Sequence, residues 1–214
     1  MFQKDYWERK AVEDRRSPDH PVVRQYVLPK IELVRRHVPI HPGTRLLDVG
    51  CGNGYFSKYF DQVCETVGVD FSEKMLLKNP VSRKLLMDAG NLGFQDMSFD
   101  VVFCHALLHH VENVDRVLGE MRRVSRKYVV VLEPNRNNPL MFLFSALVAE
   151  ERKAIHFSMG YLKGMLARNN LKVAAAYSHG MTVPNKTPAL LLPLARFLDF
   201  KQPLGMTNIL IAQR

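Results

Sequence analysis

Leu46-Leu47-Asp48-Val49-Gly50-Cys51-Gly52-Asn53-Gly54-Tyr55-Phe56-Ser57 decides the architecture of this 214-residue chain. Leu46 to Val49 reads as a short apolar strand, three glycines follow at alternate positions, and a helical pattern starts near Tyr55. Glycine has no Cβ, so such a turn reaches positive φ and lets a ligand approach bare backbone. The amide groups that open the helix then point at that ligand. The stretch is a strand–loop–helix turn built for a nucleotide-type molecule.

Outward from this turn, strands and helices alternate. Further strands are expected over Thr66–Asp70, Lys84–Met87, Phe99–Cys104, Tyr128–Leu132, Leu171–Tyr177 and Thr207–Ala212. Helices are expected from Val22 to His37 (with Pro29 inside), from Tyr55 to Asp61, from Glu73 to Lys78 behind a Ser72 cap, from Val114 on, and behind a Ser158 cap up to Asn169-Asn170. Alternation of this kind gives a parallel sheet with right-handed crossovers. A proline-punctuated segment joins the last two strands, which suits an antiparallel pair at the sheet edge. The expected fold class is α/β. It is a Rossmann-like doubly wound seven-stranded sheet, mostly parallel with an antiparallel last strand, and helices on both faces. The domain reading is one unit, with residues 1–40 as an N-terminal helical lid and 41–214 as the binding domain.

Ligands of open α/β sheets bind beyond the carboxyl ends of the strands. Asp70 ends the second strand, 22 residues after Asp48, and Asp88-Ala89 follows the third. Cys104-His105-Ala106-Leu107 ends the fourth and Glu133-Pro134-Asn135 the fifth. The dinucleotide fingerprint G-x-G-x-x-G fails at its third glycine, because Tyr55 stands there and Gly54 comes one residue early. The pattern is instead D-x-G-x-G-x-G. It resembles motif I of the class I S-adenosylmethionine (SAM) methyltransferases, and the likeness extends over roughly residues 40–214. Ser98-Phe99-Asp100-Val101-Val102 and Leu108-His109-His110-Val111 are similar to a stretch found in many small-molecule members. A Lys-Pro-Gly-Gly turn common before the family's fifth strand is replaced here by Val124-Ser125-Arg126-Lys127-Tyr128.

The resemblance implies SAM as methyl donor and S-adenosylhomocysteine as product. It implies that the glycine loop, with Asp48, Gly50, Cys51, Gly52 and Gly54, meets the methionine side. Asp70, followed by Phe71 and Ser72, would take the ribose hydroxyls, and Asp88 and Ala89 the adenine. His105 and Tyr6 complete the expected cofactor set, with Tyr6 and Trp7 as an aromatic lid over the sulfonium. The sulfonium already activates its methyl group, so the protein aligns a nucleophile and excludes water. A base is needed only where the nucleophile carries a proton. His105, His109, His110 and Glu133 are candidates, with His109 and His110 as the catalytic pair.

Acceptor identity is read mostly by exclusion. The Asn/Asp-Pro-Pro-Tyr/Phe motif of adenine amino-methylating enzymes is absent after the fourth strand, and Cys104 lacks the Pro-Cys context of cytosine-C5 enzymes. Cys51, Cys64 and Cys104 form no C-x-x-C pair and read as reduced core thiols, and no metal site is expected. A small-molecule acceptor is therefore expected. Leu140-Met141-Phe142-Leu143-Phe144 and Leu190-Leu191-Leu192-Pro193-Leu194-Ala195 suggest an apolar one. The net charge of +9 keeps RNA or protein methylation, or non-catalytic SAM binding, as alternatives. The N-terminus lacks the apolar core of a signal peptide, and no run is long enough to span a bilayer. A cytoplasmic monomer or homodimer is expected.

Overall fold

The computed structural model describes residues 7–9 and 15–214. Strands β1 (Arg45–Val49), β2 (Glu65–Asp70), β3 (Lys84–Leu86), β4 (Phe99–His105), β5 (Ser125–Pro134), β6 (Lys172–His179) and β7 (Thr207–Gln213) form one sheet in the order β3-β2-β1-β4-β5-β7-β6. The first five pair in parallel, and β7 runs antiparallel to both β5 and β6. The expected antiparallel pairing is present, but β7 inserts between β5 and β6 and leaves β6 at the edge. The reason is burial. Ile209, Leu210, Ile211 and Ala212 are fully buried, whereas β6 carries Lys172 and half-buried alanines that tolerate an edge.

Helices α1 (Pro21–Arg35), α2 (Ser57–Phe60), α3 (Glu73–Leu77), α4 (Val114–Val124), α5 (Pro139–Leu147), α6 (Met159–Arg168) and α7 (Leu192–Phe197) connect the strands. Their starts follow side-chain caps. Ser72 accepts from Met75 N, Asn113 from Arg116 N, Asn138 from Met141 N and Ser158 from Tyr161 N. The helix pattern runs unbroken through Pro29. Sequence periodicity did not anticipate the 3₁₀ segment Ala149–His156, and the apolar stretches around Leu140 and Leu194 become α5 and α7.

Alternation along the strands separates two cores. Leu47, Val49, Val129 and Val131 face α4 and α6, packing with Leu118, Met121, Leu162 and Met165. Leu46, Val130 and Leu132 face the opposite side, against Val23, Val27 and Ile31 of α1 and Phe56 and Phe60 around α2. Each strand residue therefore serves one face, as a period of two requires. α1 is a packed layer of the sheet sandwich rather than a detached cover. The strand order reverses between β1 and β4, and this switch point places the glycine loop beside the end of β4.

Candidate active site

The glycine loop is fixed by its backbone. Gly50 and Cys51 N donate to Val69 O, so the turn is stitched to β2. Gly50 has φ 71°, and a Cβ there would lie 2.8 Å from Leu107 Cδ1. Gly54 has φ 85°, and its Cβ would lie 2.5 Å from Asn79 Oδ1. Only glycine satisfies either position. Asp48 is buried below the loop and accepts a 2.5 Å hydrogen bond from Ser57 Oγ. Burial pushes its carboxyl up to about 7.

Asp70 stands at the end of β2 with both oxygens engaged. Oδ2 accepts from Gly52 N at 2.8 Å and Oδ1 from Ser72 N at 2.9 Å. Each carboxylate oxygen has a second lone pair, so the side chain is held rigid while keeping capacity for two ligand hydroxyls. Burial raises its pKa, against the pull of these backbone donors and of Arg15. A cavity of about 110 Å³ opens here, lined by Asp48, Gly50, Cys51, Gly52, Asp70, Phe71, Met75 and His105 among others. A carboxylate with spare acceptor capacity, a glycine turn free of side chains and an apolar floor fit an adenosyl-amino-acid ligand such as SAM.

Other expected residues lie outside this lining. Gly54 shapes the loop, and Ser72 is buried as a helix cap. Asp88 is exposed, and its Oδ1 accepts from Gly90 N. Ala89 packs partly against the core. Tyr6 lies outside the described residues.

A second cavity of about 360 Å³ adjoins the first. Trp7, Arg15, Tyr55, His105, Ala106 and His110 line both. The larger one is closed by Met141, Phe144 and Val148 and by the loop Thr182–Lys186. Residues 15–16 tie the two cavities together. The Arg15 guanidinium lies 5.4 Å from the Trp7 ring and 5.5 Å from the Tyr55 ring. Arg16 Nη1 donates to the carbonyls of Pro184 and Thr187, while its own carbonyl accepts from Asn53 Nδ2. Tyr55 Oη donates to Asn185 Oδ1 at 2.6 Å. Arg15 and Asn185 escaped the sequence reading because their role comes from tertiary placement alone.

The two neighbouring histidines differ in state. His109 lies between two carboxylates, with Nδ1 2.5 Å from Glu133 Oε2 and Nε2 3.1 Å from Glu151 Oε2. Burial opposes its charge, but Glu133 and then Glu151 raise it to about 9. Glu133 is fully buried, and its Oε1 accepts from Leu107 N and Leu108 N. His110 packs edge-on to Trp7 at 4.9 Å, and its ring centroid is 3.9 Å from that of His109. Burial and the charge on His109 hold its pKa well below the usual histidine value. Its Nδ1 has no hydrogen-bond partner among the described residues. His105 is likewise neutral, pushed down to about 3 by burial and then Lys30, and sits 2.7 Å from Tyr26 Oη. Between them Ala106 adopts φ 49°, a conformation that costs an L-residue roughly 1–2 kcal/mol. The strain aims the β4 end at both cavities.

Residues 47–131 match the family model described as a methyltransferase domain. A malonyl-[acyl-carrier protein] O-methyltransferase from Pectobacterium atrosepticum is 33% identical over 42% of this chain and 37% of its own length. A phosphatidylethanolamine N-methyltransferase from Cereibacter sphaeroides is 35% identical over 45% of this chain and 54% of its own length. The matches thus span about half or less of these relatives. An S-adenosylmethionine-dependent methyltransferase structure from Mesorhizobium loti superposes at TM-score 0.63 with 22% identity, over 89% of this chain and all (100%) of that one. The glycine turn at the switch point, Asp70 behind it and the strand order of the sheet accompany the methyltransferase-domain match over residues 47–131, and together they are consistent with a class I S-adenosylmethionine-dependent methyltransferase.

Proposed function

We propose that the chain transfers the methyl group of SAM to a small apolar acceptor held in the larger cavity. One observation carries this reading. A cavity over the glycine loop and a larger cavity, apolar along Met141, Phe144, Val148 and Met206 and polar along its histidines and Glu151, share a wall at the β4 end. SAM supplies an electrophilic methyl group when bound. Asp70 takes the ribose, the side-chain-free glycine turn packs against the methionine side, and Asp48 supports the loop from beneath. Asp88 and Ala89 stand near the adenine end in this reading. Met141, Phe144 and Val148 exclude water from the acceptor.

His110 orients the nucleophile. Burial keeps it neutral, and its unpartnered Nδ1 is satisfied by a hydroxyl or amine of the acceptor. A group so hard to protonate accepts a hydrogen bond rather than storing a proton. His109 is a positioning residue, charged and clamped by Glu133 and Glu151. The two relatives act, by their names, at oxygen and at nitrogen, and both acceptor names denote acyl or lipid compounds. They support an acyl or lipid-like acceptor without choosing the atom.

The test is a panel of acyl and lipid acceptors with methyl-labelled SAM. Turnover confined to apolar acceptors is expected. Label transferred only to tRNA, rRNA or protein would replace this reading with the macromolecular one. Tight SAM binding without turnover on any of these substrates would leave a non-catalytic SAM-binding protein.

A further inference from the structure

α5 closes the larger cavity from outside the sheet, and both it and a second segment, the 190–197 stretch that follows the cavity loop Thr182–Lys186, present apolar side chains to solvent. α5 is apolar all round. Met141 and Phe144 line the cavity, while Leu140, Leu143 and Leu147 project outward on one face, Leu147 being 75% exposed. A helix apolar on every side is normally buried. In the second segment, Leu190 (89% exposed), Leu194 and Phe197 (79%) recur at helical spacing. The segments are joined at both ends. Asn138 Nδ2 donates to Leu204 O at 2.6 Å, and Lys186 Nζ lies 6.0 Å from the Phe144 ring.

The exposed charges on and next to these segments have one sign, and Glu150 just past α5 is half-buried. Arg136, Lys186, Arg196 and Lys201 are exposed. The single acid in either segment, Asp199, has a side chain only 1% exposed. A second copy docked face to face would bring the same four cations from each side into one interface, because a two-fold interface uses the same patch twice. An anionic partner with an apolar interior satisfies both features.

We propose that this face docks on an anionic lipid bilayer, with α5 and the 190–197 stretch entering the acyl boundary and the four basic residues meeting headgroups. No helix among the described residues is long and apolar enough to cross the membrane, so the mode is peripheral. The inference goes beyond the acceptor reading, since docking stands whichever molecule is methylated.

Co-sedimentation of the full chain with vesicles of phosphatidylcholine alone, and of phosphatidylcholine mixed with phosphatidylglycerol, tests it. Retention on the anionic vesicles, reduced by salt, is expected. Leu190→Ser and Phe197→Ser should each weaken partition about tenfold, and Arg196→Glu and Lys201→Glu about fivefold each. SAM affinity, read by calorimetry, should be unchanged in all four variants. Equal retention on neutral vesicles, no retention at all, or full retention of the Leu190→Ser/Phe197→Ser double variant would overturn the proposal. So would a dimer in light scattering that the double variant dissociates, because the face would then belong to a second copy.

Discussion

The two adjoining cavities share a wall but are built from different materials. The smaller one is made of backbone and buried carboxylates. Its glycine turn is stitched to β2, and both oxygens of Asp70 are already bonded to amides. The larger one is closed by α5 and by a loop held through a few side-chain bonds, and the outer face of α5 is apolar and solvent-facing. The difference teaches where tolerance to change lies. A cofactor that never varies can be met by rigid backbone. An acceptor site is tuned by side chains on segments that contribute little to the core.

That contrast can be broken experimentally. The largest effect is expected at the shared wall. Glu133→Ala strands the charged His109 and two backbone amides, and should cost about 3–5 kcal/mol of unfolding free energy in urea. A loss below about 1 kcal/mol, in the range of an exposed pair, would show that the wall is not a buried ionic unit.

The pH dependence sharpens the same point. The pKa of His109 is raised from an ordinary 6.5 to about 9 by its carboxylate partners. The stabilisation is fully present below pH 6.5 and is lost as pH rises through 9. Between those limits wild type should lose about 3 kcal/mol relative to His109→Gln. Parallel stability curves for the two proteins would remove the charge from His109. Asp48 acts in a separate, lower window. Its pKa is also raised, to about 7, so its contribution fades as pH climbs from about 4 to 7.

Asp70→Ala should weaken SAM binding by about 1.5–3 kcal/mol in calorimetry, as loss of charge-assisted hydrogen bonds does. Unchanged affinity would remove Asp70 from the cofactor site. The smallest effect belongs to the outer cover. Leu147→Ser should change unfolding free energy by no more than about 0.5 kcal/mol, because the side chain leaves water only when something docks on it. A loss comparable to Glu133→Ala would mean that the cover is part of the core.

Much of the first cavity was legible before any coordinates. The apolar strand expected over Leu46–Val49 falls within β1, and Ser72 and Ser158 cap the helices they precede. Period-two patterning and glycine spacing are local signals, so a linear reading captures them. The placement of Asp70 followed from strand-end logic. Asp88 sat at an equivalent strand end, yet the structure turns it to solvent and onto Gly90 N. Strand-end logic gives a position along the chain and does not give a side-chain direction.

The second cavity was legible only as apolar composition. Nothing near Arg16 or Asn185 announces that each joins segments more than 100 residues apart. The opposite states of His109 and His110 were equally hidden, since both are histidines in one dipeptide. Glu133 reaches His109 from the adjacent strand and Glu151 from the 3₁₀ segment, and neither lies near it in sequence.

By itself the sequence determined the seven strands, the caps of the helices at Ser72 and Ser158, and the glycine turn that follows β1. These arise from periodicity and from the conformational freedom of glycine, which act within a few residues. Tertiary structure decided which histidine is charged, what walls the larger cavity, and that an apolar, basic face is shown to solvent beside it. Those properties depend on burial and on charges brought together across the chain, and only the folded molecule sets them.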